Sequence, residues 1–281
     1  MVDAPGGFRL MGIVNVTPDS FSDGGLYLET DAAVEHGARL VAEGADIVDV
    51  GGESTRPGAE PVSAAEELRR VHGVIAGLAA GGTAAQISID TSKASVAQAA
   101  LDAGASLVND VSAFRADPEM AALVAQSGAD CCLMHMLAEP RTMQRDPTYE
   151  DVVDEVRAFL EERLQFAVRE GVDERRVLLD PGIGFGKTVE HNLELLRRLD
   201  ELATLGRPIV IGTSRKSFLA RLGAGTSDRL GATVASNVLA LERGASVFRV
   251  HEVAPVREAL AVAAATLGGR WVARNPKTPT I

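Results

Sequence analysis

Short apolar runs recur along the chain, and longer segments of mixed polarity separate them. The runs are five or six residues long and almost unbroken, which is typical of strands in a parallel sheet that is covered on both faces. In the segments between them, apolar residues stand three and four apart, as a helix that buries one face requires. The second such segment shows this spacing in Leu68, Val71, Ile75 and Leu78. The runs cover residues 10–14, 46–50, 86–90, 106–110, 130–135, 176–180, 208–212 and 246–250.

The junctions that lead into four of these runs resemble one another. They read "EGADIVDV", "AGASLVND", "SGADCCLM" and "RGASVFRV", and each places a glycine at the expected end of a helix, at positions 44, 104, 128 and 244. A repeated helix-to-strand unit with eight strands predicts an α/β protein with a closed TIM (β/α)8 barrel. An open, doubly wound sheet is the alternative, although such sheets usually contain fewer strands.

The length of 281 residues and the apolar content of 46% suit one large hydrophobic core. We therefore expect a single domain over residues 1–281, with its core at about 10–268. The C-terminal segment 270–281 ends in "RNPKTPTI", which is polar and contains two prolines, so we expect it to be frayed.

The charge pattern excludes some classes of partner. The chain has 28 Lys and Arg against 39 Asp and Glu, a net charge of −11, so nucleic acid is not an expected partner. No apolar run approaches the 18 residues or so of a membrane span, and the first residues do not resemble a secretion signal, which predicts a cytoplasmic protein without membrane contact. Cys131 and Cys132 are adjacent in a strand, so we expect them on opposite faces as buried hydrophobes.

Polar residues stand at the end of every predicted strand. Alone, each could be a helix cap or a turn residue, but in a barrel the carboxyl ends of all strands meet at one face, where active sites lie. Together they predict a polar pocket for a small molecule. His135 stands alone between two methionines and leaves two roles open, a packed histidine, which is the more common role in such surroundings, or an acid or base. The set comprises Asn15, Asp49, Asp90, Asn109, Asp110, His135, Asp180, Ser214, Arg215, Lys216, Arg249 and His251.

This pocket has two electrostatic characters. Asp90, Asn109 and Asp180 offer hydrogen-bond acceptors, which suit a heterocycle with adjacent N–H groups. The segment "PGIGFGK" at 181–187 fits neither glycine-rich nucleotide motif, and we interpret it as a loop that brings Phe185 to the pocket.

The other end of the pocket favours an anion. Arg56, Arg249 and His251 are cationic donors, and the last helix begins directly behind them. Asn15 offers a neutral oxygen, so a phosphate group with Mg²⁺ is the expected ligand, because Mg²⁺ binds few protein oxygens and completes its shell with water and phosphate.

Several motifs resemble those of one enzyme family. "MGIVNVTPDSFSDGG", "DVGGESTRPGA", "ISIDTSK", "NDVSA", "LLDPGIGFGK", "TSRKSF" and "RVHEV" occur in the order and approximate spacing of bacterial dihydropteroate synthases, from about residue 10 to residue 268. The resemblance implies a (β/α)8 barrel that is usually a homodimer, and a transferase of folate biosynthesis that sulfonamides inhibit. Its reaction joins p-aminobenzoate to (7,8-dihydropterin-6-yl)methyl diphosphate and releases diphosphate, with Mg²⁺ as the cofactor.

The resemblance also implies roles for individual residues. Asn15 would contact the metal, while Asp90, Asn109, Asp180, Lys216 and Met134 would hold the pterin. Arg56, Arg249 and His251 would bind the diphosphate, with Thr55 in the mobile second loop and Val250 among the substrate contacts. Phe21, Pro57, Phe185 and Ser217 would border the p-aminobenzoate. The residues expected to act in catalysis are Arg56, Asp90, Asp180, Lys216, Arg249 and His251.

The amine nucleophile is weak, so we expect catalysis to stabilise the charges that separate as diphosphate departs.

Two other functions fit parts of the pattern. The pterin domain of corrinoid-linked methyltransferases has a similar barrel but needs neither a diphosphate site nor the "SRKSF" segment, and both are found in this sequence. A non-catalytic paralogue that only binds a pterin would tolerate degenerate loops, whereas "NVTPDSFSDGG" and "GGESTRPG" are intact.

Overall fold

The computed structural model describes residues 7–17, 26–54, 58–137, 142–144, 146–222 and 229–268. Eight parallel strands form a closed barrel in which each strand pairs with its neighbours in sequence and the last strand pairs with the first. This confirms the predicted (β/α)8 barrel and excludes the open sheet. The strands are β1 Arg9–Asn15, β2 Ile47–Gly51, β3 Gln86–Asp90, β4 Leu107–Asp110, β5 Asp130–Met134, β6 Val177–Asp180, β7 Ile209–Ile211 and β8 Ala245–Val250.

Helices follow every strand, as the alternating pattern predicted. The helix after β2 shows how the sequence specifies one, because the Ser63 hydroxyl caps its first turn and Val71, Ile75 and Leu78 form its buried face. The helices are α1 Leu26–Ala42, α2 Ala64–Ala80, α3 Ala94–Asp102, α4 Met120–Ser127, α5 Val152–Arg169, α6 Val189–Arg197, α7 Leu199–Ala203, α8 Ser217–Leu222, α9 Leu230–Glu242 and α10 Val253–Thr266. A short 3-10 turn at Glu174–Arg176 precedes β6.

Two apolar layers lie on opposite sides of the barrel wall. The larger layer fills the space between the strands and the helices, and the smaller one fills the barrel centre. Cys131 belongs to the outer layer and Cys132 to the inner one, which confirms that the two thiols face opposite ways. The inner layer consists of Met11, Ile47, Leu107, Cys132, Leu178, Val210 and Val247.

The repeated glycines stand where a helix ends and the chain turns into the next strand. Gly44, Gly104, Gly128 and Gly244 all have positive φ, between 65° and 117°, a region that residues with a Cβ rarely adopt.

Among the described residues, no helix combines the length and apolar composition that a membrane span requires. The predicted frayed tail at 270–281 lies outside the described residues.

Candidate active site

Alternation along the strands places the site on top of the inner apolar layer. A strand turns every second side chain to the same face, so the residue two positions after an inner-layer residue also points into the barrel. On β4, β5 and β6 the apolar residues Leu107, Cys132 and Leu178 are followed in this way by Asn109, Met134 and Asp180. On β8, Arg249 follows Val247 by the same step.

These side chains and the loops that follow the strands enclose one pocket. Its apolar wall is formed by Ile13, Val111, Met134, Ile183 and Phe185. Its polar lining is formed by Asp90, Asn109, Asp180, Ser214, Lys216, Arg249 and His251. Nine of the residues proposed from the sequence are therefore brought together, namely Asp90, Asn109, Met134, Asp180, Phe185, Ser214, Lys216, Arg249 and His251.

Arg249 links two carboxylates across the mouth of the barrel. Its Nε donates to Asp49 Oδ2 at 2.7 Å, and its Nη2 donates to Asp90 Oδ2 at 2.7 Å. Burial raises the pKa of Asp90, although the charge of Arg249 opposes this effect. The guanidinium was expected at the diphosphate, but in this structure it lies between the carboxylates, and its Nη1 is the nitrogen that these two bonds leave for a ligand.

Asp180 and Lys216 form the opposite side of the pocket. One Asp180 oxygen accepts the N–H of Gly182 at 2.7 Å, and burial raises the pKa of this carboxyl group. The Nζ of Lys216 lies 3.9 Å from the centre of the Phe185 ring, a cation–π contact. Burial also lowers the pKa of Lys216 to about 7. The side chain is therefore a site residue and not only a solvated cation at the start of a helix.

The end of the pocket at which the sequence predicts an anion lies where β8 leads into α10. Ser214 Oγ is 2.9 Å from His251 Nδ1, and it accepts the backbone N–H of His251 at 3.2 Å. Helix α10 begins two residues later with Glu252 as its N-cap and without a side-chain cap bond. The positive end of the helix dipole therefore points towards this part of the pocket.

Some polar residues at the strand ends have other roles. Asp110 is completely buried and accepts the N–H groups of Ser112 and Phe114, so it shapes a turn. Arg215 turns outwards and pairs with Glu252. Its inclusion in the ring of pocket residues was wrong, because its backbone at φ 56° directs the side chain to the surface.

His135 is a packed histidine, the more common of the two roles that the sequence left open. It lies edge-on to the ring of Phe159 with 4.8 Å between centroids, and its Nδ1 is 2.9 Å from the Nζ of the buried Lys187. Burial, together with the nearby Lys187 charge, lowers the pKa of His135 to about 2. The imidazole is therefore neutral near pH 7 and is part of the support for the loop after β6.

Of the remaining predicted site residues, some lie within the described part of the chain and others do not. Asn15 ends β1 and pairs in register with Gly51, and Ser217 is the exposed first residue of α8. Val250 is completely buried in the outer layer, so its side chain faces away from the pocket and only its backbone could contact a substrate. The alternation of the strand explains this, because Val250 directly follows the inward-facing Arg249. Phe21, Thr55, Arg56 and Pro57 lie outside the described residues.

Two residues of the site region had no role in the sequence-based prediction. Asp49 was noted only as a polar residue near a strand end, although its position two residues after Ile47 could have identified it as inward-facing. Lys187 is 3% exposed and donates to the carbonyl oxygen of Phe185 at 3.0 Å, so it fixes the loop that carries this aromatic wall. Nothing in the local sequence pattern distinguishes Lys187 from a surface lysine.

Comparison with known proteins shows the family to which the chain belongs. The family model described as "Pterin binding enzyme" matches residues 11–251. A dihydropteroate synthase from Mycobacterium leprae is 49% identical over 277 residues, which cover 96% of this chain and 95% of the relative. A probable bifunctional folylpolyglutamate synthase/dihydropteroate synthase from Haloferax volcanii is 47% identical over 247 residues, and the chain spans 29% of its length.

Solved structures give the same result. The dihydropteroate synthase of Xanthomonas albilineans with 4-aminobenzoic acid is 49% identical to the chain and superposes with a TM-score of 0.86, over 92% of each chain. The structure described as this enzyme in complex with 7,8-dihydropteroate is 46% identical and superposes with a TM-score of 0.84, over 95% of each chain. From the site geometry, the family match and these identities, the chain belongs to the dihydropteroate synthase family of pterin-binding enzymes.

Proposed function

We propose that this protein joins p-aminobenzoate to (7,8-dihydropterin-6-yl)methyl diphosphate to give 7,8-dihydropteroate and diphosphate. The observation that carries the proposal is one pocket with a floor of hydrogen-bond acceptors and a rim of cations, in a chain 49% identical to a synthase that binds 4-aminobenzoic acid. The complex of a related synthase with 7,8-dihydropteroate supports the same product.

The acceptor groups at the floor suit the pterin. Asp90, Asn109 and Asp180 project from three strands into the same pocket, and a pterin carries several N–H donors on one edge. Met134 lines the pocket between them and offers a polarizable apolar surface for a flat ring. These contacts orient the ring and place its methylene group towards the cationic rim.

The cationic rim suits the diphosphate. Arg249 and His251 line the pocket, and the N-terminus of α10 adds a favourable dipole. Lys216 lies on the Asp180 side of the pocket, and we propose that it reaches the pterin instead. We propose that Arg56 and Thr55 complete this site from the loop after β2, and that Phe21, Pro57, Phe185 and Ser217 border the p-aminobenzoate. Phe185 is the member of this group that lines the described pocket.

We propose Mg²⁺ as the cofactor, with Asn15 as its protein ligand. Among the residues that the structure describes, no group of three or more His, Cys, Asp or Glu could hold a metal ion. Asn15 at the end of β1 offers one amide oxygen, which suits an ion that fills its remaining positions with water and phosphate. When bound, Mg²⁺ would offset the negative charge of the diphosphate.

In the reaction, the bond between the pterin methylene and the diphosphate oxygen breaks, and its electron pair leaves with the diphosphate. A bond forms between the methylene carbon and the amine nitrogen, which then loses a proton. Positive charge develops on the pterin, and the buried carboxylates of Asp90 and Asp180 stabilise it. Arg56, Arg249 and His251 stabilise the negative charge on the departing group. Water would trap the cationic pterin, so closure of the loops over the pocket is part of this proposal.

We also propose that the protein acts in the cytoplasm as a homodimer. Large apolar side chains are exposed along the neighbouring helices α9 and α10, including Leu239 and Val262, and Leu267 is exposed just beyond α10. Such a group of exposed apolar residues supports an interface. Light scattering after size-exclusion chromatography should give twice the monomer mass of 29.4 kDa, and Val262→Glu should shift the protein towards the monomer.

The most informative test is the release of diphosphate from (7,8-dihydropterin-6-yl)methyl diphosphate, with and without p-aminobenzoate and Mg²⁺. We expect release that requires both, together with stoichiometric 7,8-dihydropteroate. Pterin binding without amine-dependent release would favour a non-catalytic paralogue. Transfer of a methyl group from methyltetrahydrofolate to a corrinoid would favour the methyltransferase and contradict the proposal.

A further inference from the structure

Asp49 lies below the pocket and does not line it. It projects into the barrel from the middle of β2 and is completely buried. Its Oδ1 accepts the hydroxyl of Ser88 at 2.6 Å, and its Oδ2 accepts both Asn109 Nδ2 at 3.0 Å and Arg249 Nε at 2.7 Å. One carboxylate therefore contacts three strands besides its own.

The contact with Asn109 determines which way this amide faces. An ionised carboxylate can only accept hydrogen bonds, so the amide atom that faces Asp49 must be the NH₂ group. The carbonyl oxygen of Asn109 is then the atom left for the pocket. If the amide rotated by 180°, two acceptors would face each other in a buried site, which is costly.

The partners of Asp49 hold the carboxylate itself in place. Arg249 supplies the compensating charge and is in turn held by Asp90 at 2.7 Å, so it cannot easily move away from Asp49. Ser88 occupies the second oxygen. Because both of its oxygens are bonded and it is not exposed to solvent, the Asp49 carboxylate has one stable orientation. This fixed carboxylate in turn fixes the orientation of the Asn109 amide.

We propose that Asp49 is a positioning residue that turns the carbonyl oxygen of Asn109 towards the pocket and so makes the pocket floor select a ligand edge with N–H donors. With Asn109 fixed in this way, Asp90, Asn109 and Asp180 all present acceptors. A ring that carries an oxygen in place of an amino group would meet these acceptors with one of its own, and the pocket would reject it. This inference rests on the proposed function, because it concerns the pterin side of the same pocket.

The test compares two ring compounds that differ on this edge of the ring, 6-hydroxymethylpterin and 6-hydroxymethyllumazine. The lumazine carries a 2-oxo group and a proton on N1, where the pterin carries a 2-amino group and an unprotonated N1. Isothermal titration calorimetry gives the ratio of their dissociation constants for the wild type and for variants whose melting temperature shows that they are folded. We expect the wild type to prefer the pterin and Asp49→Ala to reduce that preference by about tenfold, as the loss of one oriented buried hydrogen bond would do.

A conservative variant separates orientation from simple packing. In Asp49→Asn, the new amide can turn its oxygen towards Asn109 and Arg249 while Ser88 accepts from its NH₂ group, so most of the preference should return. Ser88→Ala removes a buried hydrogen bond on the other side of Asp49 and should change the ratio less than about twofold. Asp49→Ser can replace Asp49→Ala if the latter does not fold, because serine is too short to reach Asn109.

The outcomes are distinct. An unchanged preference in Asp49→Ala, or an equal loss in Ser88→Ala, would overturn the role of Asp49 while the wild type still binds the pterin selectively and releases diphosphate. A wild type that binds neither compound would contradict the proposed function itself, and the inference with it.

Discussion

A buried charge at the base of the loop after β2 gives the sharpest prediction of stability. Glu67 in α2 is completely buried, and its Oε2 accepts Lys93 Nζ at 2.5 Å. Its Oε1 has no hydrogen-bond partner among the described residues. Lys93 also pairs with Glu53, which accepts the N–H of Val62 from the far end of the same loop at 3.0 Å. The Lys93 side chain is 25% exposed and that of Glu67 is completely buried, so the Lys93–Glu67 pair is largely shielded from water.

Lys93→Met keeps the aliphatic stem and removes the cation. The completely buried Glu67 would then lose the one charged hydrogen-bond donor that it has among the described residues, and we expect the free energy of unfolding at pH 7 to fall by about 3–5 kcal/mol. Burial opposes the charge of Lys93, but its hydrogen bonds with Glu53 and Glu67 prevail and raise its pKa. The contribution of Lys93 is therefore complete below the unfolded-state pKa of about 10.4 and is lost only as the pH rises above it.

Urea denaturation followed by circular dichroism measures this loss. Arg175→Met is a matched control, because it removes a cation from a surface pair in which Arg175 is 79% exposed, and it should cost less than about 1 kcal/mol. The double variant Lys93→Met/Glu67→Met removes both charges and should recover most of the stability. A loss in Lys93→Met no greater than in the control, or no recovery in the double variant, would refute the reasoning.

Three further predictions concern buried groups around the site. Burial lowers the pKa of Lys187 to about 7, so the unfolded state binds more protons between pH 7 and about 10.4 and stability rises with pH in that window. From pH 7 to 9 the free energy of unfolding of the wild type should therefore rise by about 2 kcal/mol more than that of Lys187→Met. Gly182→Ala would place a Cβ 1.9 Å from the carbonyl oxygen of His135 at φ +67°, so both stability and turnover should fall. Burial raises the pKa of Cys131 and of Cys132, so neither thiol should react with a thiol reagent until the protein is unfolded in denaturant.

For each of these three predictions, a specific result would contradict it. Parallel pH profiles for the wild type and Lys187→Met would show that Lys187 keeps its charge in the folded state. Gly82→Ala has nearly the same φ, +66°, and an open Cβ position, so it should lose less stability than Gly182→Ala by at least about 2 kcal/mol. Equal losses would mean that backbone strain, and not the contact with His135, decides the effect. A thiol that reacts at once in the folded protein would contradict the burial of the cysteine pair.

The short apolar runs along the chain made much of the site predictable. They located all eight strands to within one residue at every end, and the barrel that they predicted brings the polar residues at the carboxyl ends of the strands to one face. Asp90, Asn109 and Asp180 followed from that rule and from the need of a heterocycle for acceptors. The alternation of side chains along a strand, applied strictly, would also have placed Val250 on the outer face and Asp49 on the inner one.

Contacts between distant side chains could not be predicted in this way. The pair of Arg249 and Asp90 joins residues 159 positions apart, and it depends on the closure of the barrel and the register of its strands. Neither quantity is encoded in a local pattern of polar and apolar residues. The outward turn of Arg215 depends likewise on a left-handed backbone conformation, which a non-glycine residue adopts only where its surroundings impose it.

The central claim is that the pocket accelerates the reaction by stabilising separated charges, with Asp180 beneath the developing positive charge of the pterin. Single-turnover formation of 7,8-dihydropteroate by the wild type and by Asp180→Asn tests it most directly, with the dissociation constant of the pterin diphosphate measured separately. The account predicts that the rate constant of the chemical step falls by about 10²- to 10³-fold while this dissociation constant changes far less. An unchanged rate constant, with only weaker binding of the pterin diphosphate, would contradict the account.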